Sequence, residues 1–202
     1  MSTQSKTYKD LFTVGHSTHP IDVFINLLQA NHVDTLIDTR SFPFSKYASQ
    51  FNQDSLKRIL EQNEIKYLFL GKELGGRPKD PTFYDEDGHV LYWKVAACRD
   101  FQLGIEQLLY CIAKSIVAIL CSEENPSNCH RRLLISRVLE SHGVCIKHIR
   151  GNGTIQPEYE LEFLNSAGAK QLSIFSQQNE EKTWRSTQSV LQKKPLLNSL
   201  TP

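Results

Sequence analysis

Short apolar runs alternate with helical stripes along this chain. LFTVGHS (11–17) is a run of β type, and in the following HPIDVFINLLQANH the residues Ile21, Phe24, Ile25 and Leu28 recur at the spacing of one helix face. Pro20 suits the first helical turn, with Thr18 or His19 as cap. VDTLIDTR (33–40) predicts a second strand, DSLKRILEQNEI (54–65) a helix with Leu56, Ile59 and Leu60 inward, and KYLFLG (66–71) a third strand. The loop at 72–89, rich in Gly, Pro and charge, is longer than most connections in a compact domain; loops of that length are functional or disordered. Helical spacing returns at Trp93, Ala97, Phe101, Ile105, Leu108 and Ile112, with an interruption expected near Gly104. IVAIL (116–120) predicts a fourth strand, a helix is expected over about 126–142, and CIKHI (145–149) predicts a fifth strand.

Strands that alternate with helices, each strand short and mostly apolar, build a largely parallel sheet covered on both faces. The expected fold is therefore α/β: a three-layer, open, mostly parallel sheet of about five strands with helices on both faces. Residues 1–10 are read as an N-terminal extension and 11–165 as a single domain. Residues 166–202, polar and rich in Gln and Ser, are read as a mobile tail on which Trp184 is the candidate for docking.

Composition narrows the function classes. The 202 residues are 40% hydrophobic and 22% charged with a formal net charge of +1, so no global attraction to nucleic acid or anionic membrane exists and any anion site must be local. The longest apolar run, SIVAIL, is far below the roughly 18 residues of a membrane span. The amino terminus lacks the apolar core of a secretory signal, and five cysteines in a chain of this size read as reduced thiols. A cytoplasmic protein with no membrane partner is expected.

In open α/β sheets ligands bind beyond the carboxyl ends of the strands. The residues leaving each strand here are reactive types: GHSTH, DTRSFPFS, GKELGGRP, CSEENPSNCHR and HIRGNG. A parallel sheet would set His16, Asp38, Arg40, Lys72, Arg77, Cys121, Glu123, Cys129, His130 and His148 along one rim. Asp38 and Arg40, two apart, share a side and can pair or share a ligand, and Arg40 has the planar fork that matches phosphate or carboxylate. Phe42, Phe44 and Tyr47 make the adjoining loop aromatic, a wall for a base or another flat ring. Gly75 and Gly76 allow close backbone approach beside Lys72 and Arg77, a cradle for an anion. His148 reads equally as a core histidine and as a site residue.

In CSEENPSNCHRR, Asn125 followed by Pro126 marks a helix start, which places Cys129 and His130 near the end of its first turn. Three roles are open to Cys129: a thiolate activated by the cationic neighbours His130, Arg131 and Arg132, a metal ligand with Cys121 and His130, or a structural thiol. No CxxC or HExxH spacing supports the metal, and no arginine stands six residues after either cysteine as a phosphatase loop requires. Cys98 and Cys111 are expected in the core.

Together VGHSTHPIDVF, LIDTRSFPFSKY, FLGKELGGRP, LCSEENPSNCHRRLL and KHI resemble the successive motifs of a bacterial and archaeal family, domain of unknown function 488, over about residues 11–162. The resemblance implies that His16, Asp38, Arg40, Lys72, Glu73, Gly75, Gly76, Cys121, Glu123, Cys129, His130, Arg131 and His148 occupy motif positions. It implies no activity. Some members carry a histidine after the proline of the last motif, where this chain has Glu158 after Pro157.

The function expected is an enzyme that binds an anionic substrate, nucleotide-derived or nucleic acid, at the carboxyl rim for hydrolysis or group transfer. Arg40, Lys72 and Arg131 would hold the anion, with His16, Gly75, Gly76, Arg77, Cys121 and His148 completing the binding set. Asp38 or Glu123 would be the general base, His130 the acid or proton shuttle and Cys129 the nucleophile. Two alternatives stand beside it. One is a non-catalytic module binding nucleotide or nucleic acid, with Lys182, Arg185, Lys193 and Lys194 of the tail adding phosphate contacts. The other is a Cys/His metal-binding protein. The sequence assigns no cofactor and no oligomeric state.

Overall fold

The computed structural model describes residues 9–161 and 184–190. Six strands form one sheet: β1 (Asp10–Gly15), β2 (Thr35–Asp38), β3 (Lys66–Phe69), β4 (Val117–Cys121), β5 (Cys145–Ile149) and β6 (Ile155–Pro157), in spatial order β3-β2-β4-β1-β5-β6. All pairings among β1 to β5 are parallel, and β6 runs antiparallel to β5. The fold is α/β, with one strand more than the five expected. β6 spans only three residues beyond a turn in which Gly153 takes φ +86°, too short for an apolar pattern to reveal.

Alternate strand residues point to opposite faces, so each face carries its own core. Ala118 and Leu120 of β4, with Leu36 and Val14, pack against Phe24, Leu28, Leu56 and Leu60 of α1 (Ile21–Ala30) and α2 (Gln53–Gln62). Val117 and Ile119, with Ile37 and Leu11, face Phe101, Ile105 and Leu108 of α4 (Arg99–Lys114), and Leu134 and Leu139 near α5 (Arg137–Ser141). All five residues of β4 are buried, as befits a central strand.

Several boundaries differ from the sequence expectation. Pro20 itself is the N-cap of α1, and neither Thr18 nor His19 caps it. The break in the long helical stretch falls at Cys98, whose extended backbone separates α3 (Tyr92–Ala97) from α4, and not at Gly104. Gly104 lies inside α4 because a side chain there would press on Glu73 and Leu74. The inward stripe of α3 is Tyr92 and Val95 in place of Trp93 and Ala97. The helix expected at 126–142 is three pieces: a 3-10 turn Pro126–Asn128, a π-helical segment Arg131–Ser136 and α5. The Ser136 hydroxyl donates to the Arg131 carbonyl five residues back (2.8 Å), tying across that wide turn.

Residues 184–190 return to the domain. Ser186 N–H donates to Val90 O (2.9 Å) and Val190 N–H to Gly88 O (3.0 Å), the Trp184 indole donates to Leu133 O, and Arg137 stacks 4.7 Å above the Trp184 ring. Arg185 pairs with Asp85, while Lys182, Lys193 and Lys194 lie outside the described residues, as does the rest of the expected tail. No helix among the described residues is long and apolar enough to cross a membrane.

Candidate active site

Parallel strands bring the carboxyl ends of β1, β2 and β4 to one rim, where a cleft of about 580 Å³ opens. Gly15 pairs with Cys121 at the last register position of β1 and β4, and the chain continues across it: His16 N–H donates to Cys121 O (3.1 Å) and Ser17 N–H to Ser122 O (2.8 Å). A Cβ on Gly15 would sit 1.8 Å from Glu123 O, so only glycine lets the segment after β4 fold this closely over β1. Arg131 clamps that segment from beneath. Its buried guanidinium donates to the carbonyls of Glu123 and Glu124 and, through Nε, to Thr13 Oγ1 (3.2 Å).

On this platform Cys121, Glu123, Cys129 and His130 converge. Glu123 Oε2 accepts from Cys121 Sγ (2.8 Å) and Cys129 Sγ (3.2 Å), and His130 Nδ1 lies 3.5 Å from Cys121 Sγ and 3.8 Å from Cys129 Sγ. The far ring nitrogen of His130 meets Thr39 O at 3.1 Å. A carbonyl only accepts, so Nε2 carries the hydrogen and Nδ1 turns towards the sulfurs. Cys129 is not in a helical turn: its extended backbone (φ −102°, ψ 142°) joins the 3-10 turn to the π-helical segment, and this aims Sγ at the cluster. The expected Asn125 cap is present, accepting from Ser127 N–H at 3.0 Å, but it caps the 3-10 turn.

Charges within the cluster shift one another. Burial and the neighbouring Cys129 and Glu123 push the Cys121 thiol well above its usual pKa. Burial also opposes ionisation of Cys129, but hydrogen bonds from Cys121 and His130, with the charges of His130 and Arg131, outweigh it and bring the thiol down. Burial lowers His130, yet Cys129 and Glu123 raise it further. Partial burial raises Glu123, and hydrogen bonds from the thiols and from its own backbone hold it at about 2.

Asp38 and Arg40 form a different kind of unit. Asp38 is fully buried and accepts from Arg40 Nε (2.9 Å), Nη2 (2.6 Å) and backbone N–H (3.1 Å) and from Tyr67 OH (2.8 Å). Arg40 donates further to Phe51 O (2.8 Å) and to His16 Nε2 (3.1 Å). Because Arg40 only donates, His16 accepts at Nε2 and is neutral, with Nδ1–H directed at Ser17 O (2.8 Å). Burial and the Arg40 charge lower its pKa to about 4, and its ring stacks on Phe51 with centroids 4.4 Å apart. Asp38 thus has no lone pair turned to the cleft for a base, and four of the five Arg40 side-chain N–H bonds are directed at Asp38, His16 and Phe51 O.

The remaining expected residues separate. Arg77 lines the cleft and forms no ion pair among the described residues. Gly76 lines it too, and a Cβ there would meet the His130 ring at 2.6 Å. Gly75 packs on Ser41 and the Gly71 carbonyl instead of cradling an open space, and Lys72 is exposed, away from the cleft wall. His148 is wholly buried between Thr13 Oγ1 (2.7 Å) and Glu158 (2.7 Å), and Glu158 also accepts from Arg132 (2.6 Å). That chain supports Arg131 through Thr13 and stands behind the cleft. Arg131, 1% exposed, is not among the residues that line the cleft. Sequence reasoning missed Tyr92, whose phenol is raised by burial and by Cys129, Cys121 and Glu123, and the wall contributed by residues 186 and 188–190. Tyr92 was hidden by the misphased stripe of α3; Trp184 marked a docking point on the tail, but nothing local marks residues 186 and 188–190 as part of the cleft wall.

No curated protein and no solved structure matches this chain. A family model does match, over residues 20–138, which includes the cluster and Arg40, Arg77 and Arg131: the chain belongs to the family described as Domain of unknown function DUF488.

Proposed function

We propose that the chain is an enzyme that carries out hydrolysis or group transfer on an anionic substrate, nucleotide-derived or nucleic acid, in the cleft at the carboxyl rim. The observation that carries this reading is the convergence of Cys121, Glu123, Cys129 and His130 on one wall of a cleft that also holds Arg77, an arginine with no ion pair among the described residues. A protein that needed only stability would gain nothing from gathering two thiols, a carboxylate and an imidazole there.

Each residue has a distinct part. The nucleophile is activated at the Cys129 and His130 pair, with His130 shuttling its proton and Glu123 holding the two sulfurs in place. Arg77 meets the anionic group. Phe42 and Phe44, exposed along the same cleft, flank a flat ring. Asp38, Arg40 and His16 form the rigid seat of the loop after β2, and Arg131 holds the segment that carries Glu123; they are positioning residues. The test is a thermal-shift screen with inorganic phosphate, phosphate esters and nucleotides. A ligand at about a hundredfold over its Kd stabilises wild type by about 2.7 kcal/mol, and Arg77→Ala loses that gain whereas Glu123→Gln keeps it. If no anion stabilises wild type, or Arg77→Ala responds as wild type does, the reading fails.

A further inference from the structure

We infer that Cys121, Cys129 and His130 bind one divalent ion of the zinc type, leaving its fourth position open to the cleft. The inference rests on the reading of this cleft as the reaction site and names what activates the nucleophile there.

The three donor atoms lie within 4.8 Å of one another, and both cysteines are buried. An ion with Zn–S of about 2.3 Å and Zn–N of about 2.0–2.1 Å in tetrahedral geometry requires an S···N edge of roughly 3.6 Å. Nδ1 of His130 stands 3.5 and 3.8 Å from the two sulfurs. One ion between them satisfies both distances. The second nitrogen of a metal-bound histidine ordinarily donates to a carbonyl or carboxylate, which fixes the ring, and His130 Nε2 does so to Thr39 O. Gly76 leaves room for the imidazole where it stands, since a Cβ there would meet the ring at 2.6 Å.

Two sulfurs and one imidazole nitrogen form a donor set that selects zinc over magnesium or calcium. Three protein ligands with one open position are the arrangement of catalytic zinc sites, whereas structural sites use four. Glu123 Oε2, at 2.8 and 3.2 Å from the sulfurs, is outside the set of three donors and would stand as a hydrogen-bonding neighbour of the sulfur ligands. Both cysteines bind as thiolates, and their two negative charges offset that of the ion. Cys98, Cys111 and Cys145 lie apart from this set. The other clustered group, Asp85, Asp87 and His89, differs in kind, because Arg185 already pairs with Asp85.

The full chain, stripped with a chelator and titrated with Co²⁺, tests this without any substrate. Wild type is expected to develop sulfur-to-cobalt charge-transfer bands in the near ultraviolet and the intense visible bands of a tetrahedral ion. They saturate at one ion per chain and are displaced by Zn²⁺. Cys129→Ser loses charge-transfer intensity, Gly76→Ala weakens binding by about 10–100-fold by displacing the ring, and Cys145→Ser changes nothing. Absence of a saturable band in wild type overturns the inference, as does an undiminished band in a Cys121→Ser/Cys129→Ser double variant; the wild-type result decides even if that double variant does not fold. The anion screen fails or succeeds separately, so a bound ion with no anion response would remove the proposed reaction and leave the metal site standing.

Discussion

Replacing Asp38 by Asn removes the one ion-pair partner that Arg40 has among the described residues. Arg40 is 4% exposed and Asp38 is 0% exposed, so the guanidinium stays out of water with its charge uncompensated. The amide can keep one acceptor for Arg40 Nε and backbone N–H, but its NH₂ then faces the donors Arg40 Nη2 and Tyr67 OH where Oδ2 had accepted at 2.6 and 2.8 Å. Removing one partner of a buried pair costs about 3–5 kcal/mol. For a chain of 202 residues this lowers Tm by roughly 6–20 °C. Urea denaturation followed by circular dichroism measures the loss, and a cycle with Arg40→Met separates pairing from packing: the double variant should recover about 1–3 kcal/mol relative to the sum of the singles. If Asp38→Asn melts within about 1 kcal/mol of wild type yet no longer responds to any anion that stabilises wild type, Asp38 works on substrate and the assignment made here is wrong.

Other perturbations probe the same framework. Tyr67→Phe removes the hydroxyl that donates to Asp38 and should cost about 1.5 kcal/mol by urea midpoint; no change would mean the hydroxyl is replaced by water at no loss. The folded pKa of His16, about 4, lies below its unfolded value of 6.5, so the unfolded chain takes up the proton first as pH falls. Stability is full above pH 6.5 and declines towards pH 4 by up to about 3 kcal/mol from this group; denaturation midpoints at several pH values should show that slope reduced in His16→Gln, and an equal slope would refute the assignment. Gly15→Ala forces the Glu123 carbonyl away and should cost about 1–3 kcal/mol or more in thermal melts while abolishing the anion response; a variant of wild-type stability would contradict the close approach.

Much of the scaffold is legible in the chain because the relevant signals are local. Runs such as VAILC, buried on both faces, announce a central parallel strand, and the parallel order follows from their alternation with helices. The misreadings have physical causes. Asn125-Pro126 is a true capping signal, but it reports only that a turn begins, and the extended Cys129 and the π-helical segment that follow break the expected single helix into pieces. Gly104 looks like a breaker, and its role in α4 depends on Glu73 and Leu74, thirty residues away in sequence. In the site, the residue types of Cys121, Glu123, Cys129 and His130 were enough to nominate them. The parts of Arg40 and Arg131 were not, because the partners that take most of their donors are brought in by the fold: His16 and Phe51 O beside Asp38 for one, Thr13 and the carbonyls of Glu123 and Glu124 for the other. Charge pattern shows where an arginine is and not whether its donors are already taken.

The central claim is that anions enter the cleft where β1, β2 and β4 end. The most direct measurement is an amide chemical-shift titration of the full chain with inorganic phosphate and then with adenosine monophosphate. The account predicts that the largest shifts cluster at Gly76, Arg77, Glu123, Cys129 and His130. Shifts confined to the opposite end of the sheet, or to the outer face of α4, would contradict it.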